Sequence, residues 1–262
     1  MDNSKFNILQ AIREAYTFVG REWLYLLKSA SLPMAVQICT SLFIQFQREG
    51  ASLIESYLWG MPATVLVAWF VFLEMRLLLL GEQLDKLPHN PEYLAARQHA
   101  MKLSVITSLL FNMGMALAIA VLFLAAESGQ SGAEWLITLG GALVIGAAFW
   151  GVRFGVLPIL AAVHYPFRPF LHQVRGVMFS LRLIGLGLAC LFPIAILFQI
   201  LMASFFARVA DAAVPLRLTV TEQITIIVVT APLSLIVAAL LNAAAAYALK
   251  QLLGSRTGGV LA

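Results

Sequence analysis

Along the chain, long apolar stretches are separated by short polar ones. The stretches lie at about 22–46, 61–80, 103–126, 135–163, 181–206 and 224–249. Each reaches the roughly 20 mostly apolar residues that a helix needs to cross a hydrocarbon core about 30 Å thick. The pattern therefore predicts six transmembrane helices. Before the first of them the spacing changes. Phe6, Ile8, Leu9, Ile12, Tyr16 and Val19 recur at a helical interval, with Lys5, Gln10, Arg13, Glu14 and Thr17 largely opposite, which predicts an amphipathic helix in the interface.

Two more amphipathic helices are expected. Asn90-Pro91 is a helix-start signal, a capping side chain followed by a proline that needs no backbone donor, and a short helix should run from there to about Lys102. Pro169 should open the third, with Phe170, Leu171, Val174, Val177 and Met178 on one face and His172, Gln173 and Arg175 pointing away. Arg97 and Arg175 each stand six residues after the opening proline, and Pro33 and Pro193 fall at similar depths in spans one and five. The expected architecture is all-α, a polytopic bundle of six transmembrane helices with three cytoplasmic-side amphipathic helices. Residues 1–262 read as one membrane domain, in which 1–80, 81–163 and 164–249 form three units of amphipathic helix plus hairpin and 250–262 form a short tail. A six-span protein with basic loops would show some of this layout by chance.

Composition supports the membrane reading and charge orients it. Of 262 residues 61% are hydrophobic and only 11% charged, far from the average soluble domain. Lys5, Arg13, Arg21 and Lys28, then Lys86, Arg97 and Lys102, then Arg168, Arg175 and Arg182, and finally Lys250 and Arg256 fall on alternate connections. The other side holds only Arg48, Arg208 and Arg217. The positive-inside rule makes the rich side cytoplasmic, with both termini there. The net charge of +4 thus reflects topology, and nucleic acid is not an expected partner. Polar sequence precedes the first apolar run and no small-residue cleavage site follows it, so it does not read as a removable signal. Cys39 and Cys190 lie within spans, where thiols act as small packing residues.

Charged residues inside the spans are the candidate site. Glu74 and Arg76 interrupt FVFLEMRLLLLGEQL, and two positions apart on a helix they point to nearly opposite sides. Arg76 is about four residues from the inner end of its span, roughly 6 Å at helical rise, a distance a long side chain bridges by snorkelling. Glu74 is deeper and needs a proton or a cation. Span four offers Arg153, and Phe149-Arg153 repeats the F-x-x-x-R of Phe72-Arg76, a spacing that favours cation-π contact. Ala147, Gly151 and Gly155 form a small-residue ladder for close helix approach. With Asn112 and Asn242 in the same inner half, a polar cluster of Glu74, Arg76, Asn112, Arg153 and Asn242 is expected. Such a cluster serves either as a functional pathway or as a lock between helices. The segment 135–163 is longer than one crossing requires, which predicts a kink or turn near Pro158.

Arg13, Arg97, Lys102, Arg168, Arg175 and Arg182 are the expected contacts to anionic headgroups. His89, His99, His164 and His172 sit in or beside the cytoplasmic connections, with no pair at i, i+4 on one helix, so neither a metal nor a cofactor is expected. No G-x-S-x-G, H-E-x-x-H, P-loop or G-x-G-x-x-G is present, and the chain reads as non-enzymatic.

The passage YPFRPFLHQVRGVMFSLRLIGLGLACLFP, in the six-span layout, resembles a loose group of bacterial inner-membrane proteins. The group includes YciC-like proteins and the membrane domain attached to some glycerophosphodiester phosphodiesterases. The resemblance implies a helical inner-membrane domain with no catalytic residues to carry over. Two function classes stay open: a module that binds lipid headgroups, a membrane-protein partner or a second copy of itself, and a small-solute or ion transporter or channel using the inner-leaflet polar cluster.

Overall fold

The computed structural model describes residues 6–47, 53–128, 134–174, 177–210 and 219–257. Among them every regular element is a helix: α1 (Ile8–Arg21), α2 (Trp23–Gln47), α3 (Leu53–Leu80), α4 (Pro91–Ser128), α5 (Glu134–Phe154), α6 (Leu157–Ala162), α7 (Phe167–Gln173), α8 (Val177–Ala210) and α9 (Val220–Thr257). Stretches in α2, α3, α8 and α9 are long and apolar enough to cross a membrane, at Trp23–Phe46, Leu58–Leu80, Val177–Ile200 and Val220–Leu253. They match the first, second, fifth and sixth expected spans. The third and fourth expected spans fall on α4 and on α5 with α6. The chain is an all-helical membrane protein.

Local chemistry sets the helix starts. The Asn7 side chain accepts a hydrogen bond from the Gln10 amide at 3.1 Å and caps α1, and Asn90 accepts from the Glu92 amide at 2.9 Å ahead of Pro91. Both satisfy backbone donors that the first helical turn leaves without partners. Thr219 and Glu222 exchange side-chain to backbone bonds, a capping box that opens α9.

The three connector helices meet their spans in three different ways. α1 breaks from α2 at Glu22. The expected short helix ending near Lys102 does not stop there, because α4 continues as one helix through the polar-to-apolar boundary. No glycine or proline stands near 102 to end it, and the Ser104 hydroxyl donates to the Pro158 carbonyl at 3.0 Å instead of capping a new helix. The third connector starts earlier than Pro169, at Phe167 after Pro166, and ends at Gln173. Phe170 and Val174 are buried, whereas Leu171, Val177 and Met178 are exposed. The turn expected near Pro158 is present: α5 ends at Phe154 and α6 starts at Leu157 with Pro158 in its first turn.

Hairpins α2/α3, α4/α5 and α8/α9 assemble around a central pair, α3 and α9. Phe70 to Leu77 of α3 are buried on every face, as expected for a helix surrounded by others. α9 meets α1, α2, α3 and α8. Its Ala239, Ala243, Ala244, Ala246 and Ala248 are buried, as are Ala11 and Ala15 of α1, and small side chains allow such backbones to come close. The apolar face of α1 is thereby spent on protein, with Leu9 alone of the expected face left well exposed. Asn7 N–H donates to Gln251 Oε1 at 2.8 Å and Tyr16 Oη donates to the Cys190 carbonyl at 2.9 Å, which fixes α1 along α9 and α8.

Candidate functional site

The most connected polar site begins with a glycine. Gly81, at φ 66°, adopts the left-handed conformation that ends many helices, and its N–H donates to the Leu77 carbonyl at 3.0 Å. The chain turns back so that the Glu82 N–H reaches the Arg76 carbonyl at 3.2 Å. The Glu82 carboxylate then returns to the Arg76 guanidinium, with Nε at 2.6 Å and Nη2 at 2.5 Å from Oε2. Its other oxygen accepts from Arg97 Nε at 2.6 Å. Tyr93, one turn before Arg97 on α4, donates its hydroxyl to Glu82 and accepts from Arg76 Nη2 at 3.1 Å. Phe72 lies 5.7 Å from the Arg76 guanidinium and 5.4 Å from that of Arg97.

Arg76 also ties in α6. This helix ends in a Schellman arrangement, with Tyr165 N–H donating to the Leu160 carbonyl, His164 N–H to that of Ala161, and His164 itself at φ 58°. The Ala162 carbonyl accepts from Arg76 Nη1 at 2.9 Å, placing a cation at the negative end of a helix. The side chains of Arg76, Glu82 and Arg97 are only 4%, 8% and 11% exposed. Burial pushes the Glu82 carboxyl up, but the hydrogen bonds from Arg76, Tyr93 and Arg97 outweigh it and hold the group below the usual carboxylate range. The arrangement joins the ends of α3, α4 and α6, and the Leu84 N–H donates to Tyr25 Oη at 3.2 Å to bring in α2.

Arg76 therefore does not snorkel to the headgroups. It is buried and bonded at every nitrogen. The expected five-residue polar cluster does not form one network either. Arg153 donates from Nε to Ser180 Oγ at 2.6 Å and lies 5.5 Å from the Phe149 ring and 4.6 Å from that of Trp150. Glu74 is fully buried, as a cluster member should be, yet neither carboxylate oxygen accepts a hydrogen bond. The expected pairing of Glu74 with Arg153 is absent, since the Arg153 Nε is spent on α8. Asn112 and Asn242 donate to their own helices, to the Ser108 and Ala238 carbonyls at 2.8 and 2.7 Å. These two do come together, because both line one cavity of about 690 Å³. The small-residue ladder works as expected at Gly155, where a Cβ would come within 3.3 Å of the Phe111 ring.

Of the expected headgroup contacts, Arg13, Lys102 and Arg168 are exposed and Arg182 is half-buried. Arg97 is drawn inward by Glu82, and Arg175 lies outside the described residues. Among the described residues no three His, Cys, Asp or Glu side chains gather in a way that would hold a metal ion. Sequence reasoning passed over Tyr93 and gave Glu82 no role. The available signal was a carboxylate directly after a helix-ending glycine, followed by Tyr93 and Arg97 one turn apart on the next helix.

The chain matches no protein-family model, and no curated protein and no solved structure shows significant similarity to it.

Proposed function

We propose that the chain is a non-enzymatic six-span protein of the bacterial inner membrane that binds anionic lipid headgroups at its cytoplasmic end. The observation that carries this reading is the sorting of charge at that end. The Glu82 carboxylate is turned inward onto Arg76 and Arg97, while Arg13, Lys102 and Arg168 stay exposed. Asp85 and Glu92 are exposed at this end as well, but Arg21, Lys28, Lys86 and Lys250 add to the exposed cations, and a surface with such an excess attracts anionic lipid, by about 1 kcal/mol per basic residue near the headgroups. The meeting of Asn7 with Gln251 supports an even number of crossings between them, and the basic residues gathered on that side support its being the cytoplasmic one. The likeness to the YciC-like group agrees with this reading, as does the three-unit layout. A membrane-protein partner or a second copy would meet the same basic end.

The test is lipid selectivity of the purified protein in bilayers of phosphatidylglycerol and phosphatidylcholine. Combined Arg13→Gln, Lys102→Gln and Arg168→Gln substitutions are expected to lower the preference for phosphatidylglycerol several-fold at low salt while leaving the thermal midpoint unchanged. An unaltered preference rules the headgroup reading out.

A further inference from the structure

We propose that the cavity between α4 and α8 is a binding site for an uncharged, hydroxyl-bearing lipid of the diacylglycerol kind. This rests on the membrane reading of the chain and is independent of the cationic headgroup contacts. α4 and α8 scarcely touch among the described residues, and the space between them, floored by α3 and α9, amounts to about 690 Å³. That size is typical of a small-molecule pocket. Its depth is membranous, because Val71 and Leu186 in its wall stand near the middles of the spans Leu58–Leu80 and Val177–Ile200. It opens sideways rather than to water. Asn112 is exposed and Leu188, also in the wall, is 67% exposed, so the mouth faces the surface that lipid would cover.

The chemistry of the wall selects the ligand. Nearly all of it is aliphatic or aromatic, and no Asp, Glu, Lys or Arg contributes to it. A phosphate or a carboxylate would enter without a counter-charge and be disfavoured. Three polar groups nevertheless face the space: Ser108 and Asn112, one turn apart on α4, and Asn242 on α9. Each asparagine amide is anchored by its N–H to a carbonyl of its own helix. Among the described residues neither Oδ1 accepts a hydrogen bond, and the Ser108 hydroxyl makes none. Two oriented acceptors and a hydroxyl without partners, set in an apolar wall at bilayer depth, are costly unless a ligand completes them. A free hydroxyl satisfies an amide oxygen, ester carbonyls satisfy the serine hydroxyl, and acyl chains leave through the lateral mouth.

The probe is a diacylglycerol carrying a diazirine in one acyl chain, photolysed with the purified protein in detergent, with adducts mapped by mass spectrometry. Saturable labelling of peptides from α4 and α8 is expected, competed by unlabelled diacylglycerol and at least tenfold less well by phosphatidylglycerol. Asn112→Leu with Asn242→Leu should reduce saturable labelling at least tenfold while the thermal midpoint holds or rises and anionic-lipid selectivity persists. Gly187→Leu, placed in the wall beside Leu241, provides a second route by filling the space, and it too should abolish labelling. The proposal is overturned by absence of saturable labelling, by equal competition from phosphatidylglycerol, or by labelling that survives both the double substitution and Gly187→Leu. An unaltered phosphatidylglycerol preference in the Arg13, Lys102 and Arg168 variant overturns the headgroup reading alone, and saturable labelling that obeys these tests supports the cavity whichever way that preference falls.

Discussion

Glu82 and Glu74 are both buried, and their surroundings give opposite expectations for their removal. Glu82 answers two guanidinium groups and a phenol, so Glu82→Ala strands two buried cations and should cost about 3–5 kcal/mol. The loss would appear as a lower thermal midpoint in detergent. Its contribution also depends on pH. An unfolded glutamate titrates near pH 4.3, and the folded group lies lower. The stabilisation is therefore complete above that value and is lost as pH falls through the depressed one. The wild-type midpoint should be level above about pH 5 and fall below about pH 4, a fall that Glu82→Gln makes shallower. Glu74 has no hydrogen-bond partner. Exchanging it for an apolar chain of similar size removes a desolvated carboxyl without breaking a bond, so Glu74→Met should stabilise the fold by about 1–3 kcal/mol, read as a higher thermal midpoint. A lowered midpoint would show that the carboxyl is supported after all. The F-x-x-x-R spacing was legible in sequence and places Phe72 and Phe149 against their arginines. The partner of Arg76 was not, because it depends on the φ of a single glycine.

At the level of elements, the exit from α3 carries more organisation than its length implies. Gly81 has open space around its Cα, so a methyl group there meets no atom and only the left-handed backbone resists it. Gly81→Ala should accordingly cost about 1–2 kcal/mol and loosen the Glu82 contacts, visible as faster hydrogen exchange at the start of α4. A midpoint and exchange rates equal to wild type would mean that the turn adapts without strain. Hydropathy located this element well, since the apolar run 61–80 lies within α3. It also located the break at Pro158, whose fixed φ suits the first turn of α6. It could not say which way each helix is rotated about its own axis, and that rotation decides contacts. Asn112 and Asn242 therefore share a cavity, while Glu74 and Arg153, read from the same pattern, do not pair. The failure at Lys102 has a similar origin: a change from polar to apolar residues marks a boundary between media, and α4 passes through it without a change of backbone.

For the molecule as a whole, the contact between Asn7 and Gln251 constrains topology. Lys86 and Lys250 are exposed near the Glu82 and Asn7–Gln251 contacts, and Val220 is exposed at the start of α9. With Cys39 replaced by serine and Cys190 buried, single cysteines at these positions report sidedness. In intact spheroplasts an impermeant maleimide should label Val220→Cys, and label Lys86→Cys and Lys250→Cys only after permeabilisation. Unequal labelling of the two lysine positions would break the shared-side arrangement. The central pairing of α3 with α9 was not readable from hydropathy, since every span is apolar enough to occupy the middle.

The seat of α1 on α9 has a further consequence during synthesis. α1 is synthesised before α9 and finds its alanine-lined partner only when α9 has been inserted. Until then its apolar stripe has no protein to cover it. A nascent chain stalled before α9 would display that stripe, and a finished one would conceal it. Burial of Ala11 and Ala15 is in effect a mark that α9 is in place, one that a chaperone or protease can read on α1.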